Sequence, residues 1–367
     1  MRGQSSQGAT AISCLESYFG GVPDPRARNA THRLGDLLVM MIAASLCGAS
    51  TATEFALFAE QRKPALSRLI EYQVVPSHDT FSRLLRLIDP EAFGRAFASF
   101  AAAFARARQG MPEVVALDGK ALRRAYEKGL AASPPLTVSA FAAETRLCLA
   151  AASPSAEENE VEAALKVIEL IDLNGRLVTA DALHCHTRMA EAITERGGDY
   201  LLALKGNRRH WLNRATRQMD EVIPASAQHT QTSHGRVEWR KAEVIAAGEP
   251  LVAGHKAFIR ITSRRDQAKP HTRLFLASTL PTPQQAITLT RAHWQIENGL
   301  HWMLDVLLNE DLSRGRKDNA PANTALLNRF ARNILQAADA DKVPISHRIK
   351  KCAWNDDYLI HAITHMR

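Results

Sequence analysis

The spacing of apolar positions changes twice along the 367-residue chain. From Arg33 to Arg108 apolar side chains recur every three or four residues, which predicts a succession of helices. Ser77 can cap a helix starting near His78, and Asp89-Pro90 reads as an N-cap before a proline at the first helical position. The helix that follows carries Phe93, Phe97, Phe100 and Phe104 at spacings of four, three and four, a single apolar stripe. Gly110-Met111-Pro112 closes this region. Short, continuous apolar runs then take over, and Val114–Leu117, Leu136–Phe141 and Leu147–Ala152 read as strands. A helix with Val161, Leu165, Ile168 and Ile171 on one face runs up to Asn174-Gly175. Leu177–Ala180 is a fourth strand, Thr187–Arg196 a helix stopped by Gly197-Gly198, and Tyr200–Leu204 a fifth strand.

Three strands, a helix, a strand, a helix and a strand make up an α/β chain with the element order of a ribonuclease-H-like mixed sheet. From about residue 206 to 280 a basic, strand-like stretch interrupts it, with Val237–Val244, Ala257–Thr262 and Arg273–Ser278 as candidate strands. Thr282-Pro283 opens a further helical region, and Leu326–Ala337 is another helix. The expected organisation is a loose lead-in (1–30), a helical N-terminal domain (31–110), a catalytic domain (111–335) containing the strand-rich insertion, and a basic helical tail (336–367).

Composition narrows this little: 46% hydrophobic and 23% charged residues are ordinary for a globular protein. A net charge of +8 and a pI of about 9.4 favour polyanionic partners. Cys14, Cys47, Cys148, Cys185 and Cys352 lack paired spacing, which fits a reduced, cytoplasmic setting. The apolar run Leu34–Ala49 carries Asp36 and is too short to cross a bilayer, so no membrane partner is expected.

Chemistry is concentrated at three acids. Asp118 and Asp181 each close an apolar strand, and Glu297 lies in the aromatic-flanked helical stretch His-Trp-Gln-Ile-Glu-Asn-Gly-Leu-His-Trp. Two strand-end aspartates and a later helical glutamate suit a pair of hard divalent cations, which clamp the attacking and leaving oxygens of a phosphodiester. Each acid also has a plainer reading: a turn aspartate before Gly119, a helix cap, and a solvated helix residue. His301, four residues beyond Glu297, either faces the metals and phosphate or is a packed histidine. His184-Cys185-His186 suggests zinc but has no second ligand pair at zinc spacing. Lys120 and Arg123 beside the first aspartate, Lys205, Arg208 and Arg209 after the fifth strand, Arg264 and Arg265 in the insertion, and Arg314 and Arg316 after the glutamate are candidate phosphate contacts. Pro76–Leu87 could hold a short recognition helix, although Phe81, Leu84, Leu85 and Ile88 fit a core.

Five motifs in order carry a family resemblance: Pro76–Phe81, Leu117–Arg123, Val178–Cys185, Gly197–Asn207 and the block His293–Arg316. Through them the chain resembles DDE-type insertion-sequence transposases, close to the H-repeat-associated proteins, over nearly its whole length from about Pro25. The resemblance implies a ribonuclease-H-like catalytic domain with Asp118, Asp181 and Glu297 as its acids, and two Mg2+ or Mn2+ ions as cofactors. It implies terminal inverted repeats and target DNA as partners, a homo-oligomer assembled on DNA, and a place in the bacterial cytoplasm on the nucleoid. A Lys-Ser-Asn-Glu element common in the group reads Glu-Glu-Asn-Glu here (Glu157–Glu160), and Trp294 and His301 replace the usual residues around the glutamate. A transposase-derived nuclease or recombination factor and a catalytically silent DNA-binding protein are the alternative readings.

Overall fold

The apolar runs beyond residue 113 pair into one nine-stranded mixed sheet in the order β3-β2-β1-β4-β5-β9-β8-β7-β6. In the computed structural model, which describes residues 15, 17–105, 114–125, 134–233, 235–338 and 343–364, the helices are distributed around that sheet. Strand β1 (Val114–Ala121) is antiparallel to β2 (Leu136–Ala142), and β2 is antiparallel to β3 (Leu147–Ala152). On its other side β1 runs parallel to β4 (Leu177–Ala180), which runs parallel to β5 (Asp199–Leu204). These central strands are buried on both faces, which explains why they read as unbroken apolar runs.

The stretch after residue 206 departs from expectation in two ways. It opens with a helix, Arg209–Glu221, in which Ala215 and Met219 are buried four residues apart. Its strands are β6 (Ala225–Ser233), β7 (Arg236–Ala246), β8 (Ala257–Arg265) and β9 (His271–Ala277), and they extend the central sheet through an antiparallel β5–β9 pairing. The first of these, Ala-Ser-Ala-Gln-His-Thr-Gln-Thr-Ser, carries no apolar stripe to announce it.

The N-terminal helices are α1 (Leu34–Leu46), α2 (Ala52–Gln61), α3 (Lys63–Leu66), α4 (His78–Leu87) and α5 (Pro90–Ala105). The Ser77 hydroxyl accepts from the Thr80 amide, and the Asp89 carboxylate from the amides of Glu91 and Ala92, so both caps form as expected. In α4 Phe81, Leu84 and Leu85 are buried, so its apolar face belongs to the core. After the crossover helices α6 (Glu160–Glu169), α7 (Thr187–Glu195) and α8 (Arg209–Glu221), the chain continues in α9 (Pro283–His293) and α10 (Trp302–Val306). It ends in α11 (Ala320–Ala337), α12 (Ile345–Trp354) and α13 (Asp356–Thr364). Phe330 of α11 is inserted among the α5 rings, with centroids 5.4, 4.9 and 4.9 Å from Phe93, Phe97 and Phe100. N- and C-terminal helices thus share one apolar cluster. The Phe104 side chain and the segment Gly110–Pro112 lie outside what the structure describes, as does Cys14; no disulfide joins the four described cysteines. Among the described residues no helix is long and apolar enough to cross a membrane.

Candidate metal centre and basic cleft

Asp118 and Asp181 occupy equivalent places on neighbouring parallel strands, because Leu117 pairs with Ala180 and each aspartate comes next. Adjacent strands lie about 4.8 Å apart, so both side chains reach the same end of the sheet. The strand β1 continues through Gly119, paired with Val138, so the glycine is not a turn residue. A Cβ at Gly119 would meet the Glu160 carboxylate, so the missing side chain makes room for a fourth acid. Asp181 is capped into the chain by accepting from the Leu183 amide at 2.8 Å.

Glu297 arrives from the opposite direction. A capping box between Thr282 and Gln285 starts α9, whose last residue, His293, bonds Thr179 of β4 through Nδ1 at 3.1 Å. The chain then makes a single π-helical turn, Glu297–His301, in which the Trp302 amide donates to the Glu297 carbonyl. Gly299 lets this turn lie against β2: a Cβ there would be 2.9 Å from Phe141 Cζ. The Gly299 carbonyl accepts from the buried Arg332 at 3.0 Å, and that guanidinium lies over the Phe141 ring.

The three acids line one cavity of about 1050 Å³. Burial, reinforced by the charge of Glu297 and then of Asp181 and Glu160, pushes Asp118 up to about 7. The contact from His301 holds Glu297 below the usual carboxylate range. Burial lowers His293. His301 Nδ1 lies 3.7 Å from Asp118 Oδ2 and 3.5 Å from Glu297 Oε2. Among the described residues Asp118, Glu297 and His301 bring three ligand atoms within 4.8 Å of one another. A crowded, partly buried carboxylate set of this kind fits a divalent cation, whose charge offsets the repulsion that raises Asp118.

The wall of the cleft is basic. Lys205, Arg264 and Arg265 line it as the sequence predicts, together with Lys269 and Arg273. Arg146, Arg240 and Arg291 also line it and were not singled out by sequence reasoning. Arg240 lies within the expected strand Val237–Val244 and Arg291 in the helical region opened by Thr282-Pro283, so the register of those elements was the signal available; Arg146, in the β2–β3 turn with φ +57°, has no sequence signal. Trp294 and Trp239 stack under Arg273 and Arg264, with guanidinium carbons 5.0 and 5.9 Å from the ring centroids.

Other candidates are placed elsewhere. Lys120 is 7% exposed, and its ammonium is held by Asp305 at 2.6 Å, Asp311 at 3.0 Å and Glu310 at 3.8 Å, so it is not available to a phosphate. It ties the strand of Asp118 to the segment after Glu297. His301 is 6% exposed and lies between two acids, which removes it from the set of surface phosphate contacts. Arg123, exposed, is 3.5 Å from Asp311. Arg208 donates to the Cys185 carbonyl and lines a separate cavity of about 350 Å³ with His186 and Trp211. Arg209 is exposed at the start of α8, and Arg314 and Arg316 are exposed in the loop before α11, with Arg316 donating to the Arg124 carbonyl. His184 is fully buried, 3.5 Å from Glu160, whereas His186 Nδ1 caps α7, so the two imidazoles do not converge on one ion.

Residues 109–334 match the family model described as "Transposase DDE domain", and residues 16–101 the one described as "DDE_Tnp_1-associated". The chain is 28% identical to the H repeat-associated putative transposase YhhI of Escherichia coli, over 94% of this chain and 96% of that one. It is 28% identical over the same shares to the E. coli protein YbfL, and 34% identical to an uncharacterized Xanthobacter autotrophicus protein over 72% of this chain and 95% of that one. A cryo-EM structure of the piggyBac transposase synaptic complex with hairpin DNA aligns over 97% of this chain and 78% of that one, with 11% identity and a TM-score of 0.42.

Proposed function

The chain belongs to the transposase DDE-domain family, and on that premise we propose that it cleaves DNA at transposon ends and transfers the 3′-hydroxyl strand into target DNA. Asp118, Asp181 and Glu297 are the metal-holding acids in this reading. The observation that supports it is that all three side chains line one cleft with a basic wall. The order β3-β2-β1-β4-β5, with β1, β4 and β5 parallel, supports reading it as a ribonuclease-H-like core with the insertion strands added at its edge.

Bound Mg2+ or Mn2+, as a pair, would activate the attacking water or 3′-hydroxyl and stabilise the leaving oxygen. The protein's own residues do the rest. Asp118, which feels the charge of both Glu297 and Asp181, would be shared between the two sides of the centre. Lys205, Arg264, Arg265, Lys269 and Arg273 line the same opening, placed to neutralise phosphates and hold the backbone without reading sequence. Trp294, half-exposed beside Glu297, offers a flat apolar surface to a splayed base. The partners in this reading are terminal inverted repeats and target DNA, with a homo-oligomer bringing paired ends together as the family resemblance implies.

The test is cleavage and strand transfer of flanking-repeat DNA by the purified protein in Mn2+. Asp181→Ala should lose at least about 10²-fold in both with its fold preserved, because a metal ligand is removed. Undiminished activity in that variant would reject the assignment. Cleavage without joining of a pre-cut end would favour a nuclease, and DNA affinity without any cleavage a silent binder.

A further inference from the structure

His301 is 94% buried by its 6% residual exposure, yet its Nε2 has no hydrogen-bond partner. Its Nδ1 points at oxygens of two acids, 3.7 Å from Asp118 and 3.5 Å from Glu297. Ligand atoms bound to one ion at about 2.1 Å are roughly 3.0 Å apart when cis and 4.2 Å when trans. The two His301 separations lie between these values and the three atoms are within 4.8 Å of one another, so shifts of well under about 1 Å would bring them round one cation.

From this we infer that His301 is a direct ligand of the metal held between Asp118 and Glu297, making that position a mixed nitrogen–oxygen site. The inference rests on the metal-centre reading above and goes beyond its three acids. The position between Asp118 and Asp181 remains all-oxygen. Imidazole favours borderline ions, whereas carboxylate and water suit Mg2+, so the two positions differ in preference. The Glu297 side selects Mn2+ over Mg2+. The π-helical turn and the Gly299–Phe141 contact hold glutamate and histidine on the same side of the cleft.

Pulsed EPR of the full chain loaded with Mn2+ reads this without any turnover. A directly bound imidazole nitrogen should appear in the modulation pattern and change when the histidines are labelled with ¹⁵N. It should vanish in His301→Gln and persist in His293→Gln, the other imidazole of the cleft. Calorimetry should show the Mn2+-over-Mg2+ preference falling about tenfold or more in His301→Gln. Mn2+ bound without nitrogen coupling in the labelled native chain, which needs no substitution, would overturn the inference and leave the three acids standing. Failure of Mn2+ to bind at all, or binding indifferent to Asp118→Asn, would instead bring down the metal-centre reading and the inference with it.

Discussion

Replacing Glu310 by glutamine isolates the interaction that joins the two halves of the centre. Glu310 Oε1 accepts from Arg329 Nη1 at 2.9 Å with both side chains 0% exposed, and its other oxygen is 3.8 Å from Lys120 Nζ. Arg329 also donates to Ser139 of β2, the residue paired with Asp118. Removing one charge of a buried pair leaves the other uncompensated and costs about 3–5 kcal/mol. The glutamine carbonyl still accepts one hydrogen bond, and Lys120 keeps Asp305 and Asp311, which points to the lower part of that range, about 3–4 kcal/mol. An unfolding entropy of roughly 2.1 cal/mol/K per residue converts this to a midpoint about 4 to 5 °C lower for 367 residues. Thermal unfolding followed by circular dichroism measures it. Glu310→Leu combined with Arg329→Met removes both charges and should melt above either single variant, since an apolar pair avoids the desolvation cost. A Glu310→Gln midpoint within 1 °C of the parent, or a double variant losing the sum of the two singles, would refute this account.

Asp118→Asn should raise the melting temperature of the metal-free protein at pH 8, by roughly 1–4 kcal/mol of stability. The sign follows from the raised Asp118: the native state holds its proton up to about 7 and the unfolded chain releases it near 3.8, so native stability declines as pH rises between them. The gap between variant and parent should close toward pH 4, and parallel pH profiles would count against the crowded-acid picture. Replacing Arg264 and Arg265 together by alanine should reduce the slope of log affinity against log salt by about 2 on uncut DNA in Ca2+; an unchanged slope would remove them from the phosphate track. Gly299→Ala should destabilise by about 1–3 kcal/mol and depress cleavage while DNA affinity holds, because its methyl must displace a ring pinned beneath Arg332. Unimpaired cleavage would show that the turn can shift freely.

Much of the sheet was legible because β1, β3, β4 and β5 are buried on both faces and bounded by turn residues. The strand β6 was not, because its polar residues alternate with nothing the eye can follow, and its pairing with β7 rests on backbone bonds. The basic helix α8 was hidden by its charge: only Ala215 and Met219 mark its inner face. The three acids were readable as strand-end and helical patterns that belong together. Whether a neighbouring cation faces the cleft or the interior was not readable, since Lys120 and Lys205 both come just after an apolar run, although β1 continues through Lys120. What separates them is the triad of Asp305, Glu310 and Asp311, far away in the chain, that takes up the first and not the second.

The insertion of Phe330 among the rings of α5 has a consequence during synthesis. Phe19 and Tyr18 can pack on Phe93 and Phe100 early, but the Phe330 ring that fits among Phe93, Phe97 and Phe100 is made far later in the chain. Nascent chains with such long-delayed contacts are exposed to aggregation and rely on chaperones. A polypeptide cut short before residue 320 lacks the wedge that closes its aromatic stripe, even though all three acids are already present. Translation that runs past α11 completes the apolar cluster shared by the N- and C-terminal helices, so truncation is expected to tell on the fold before it removes any of the three acids.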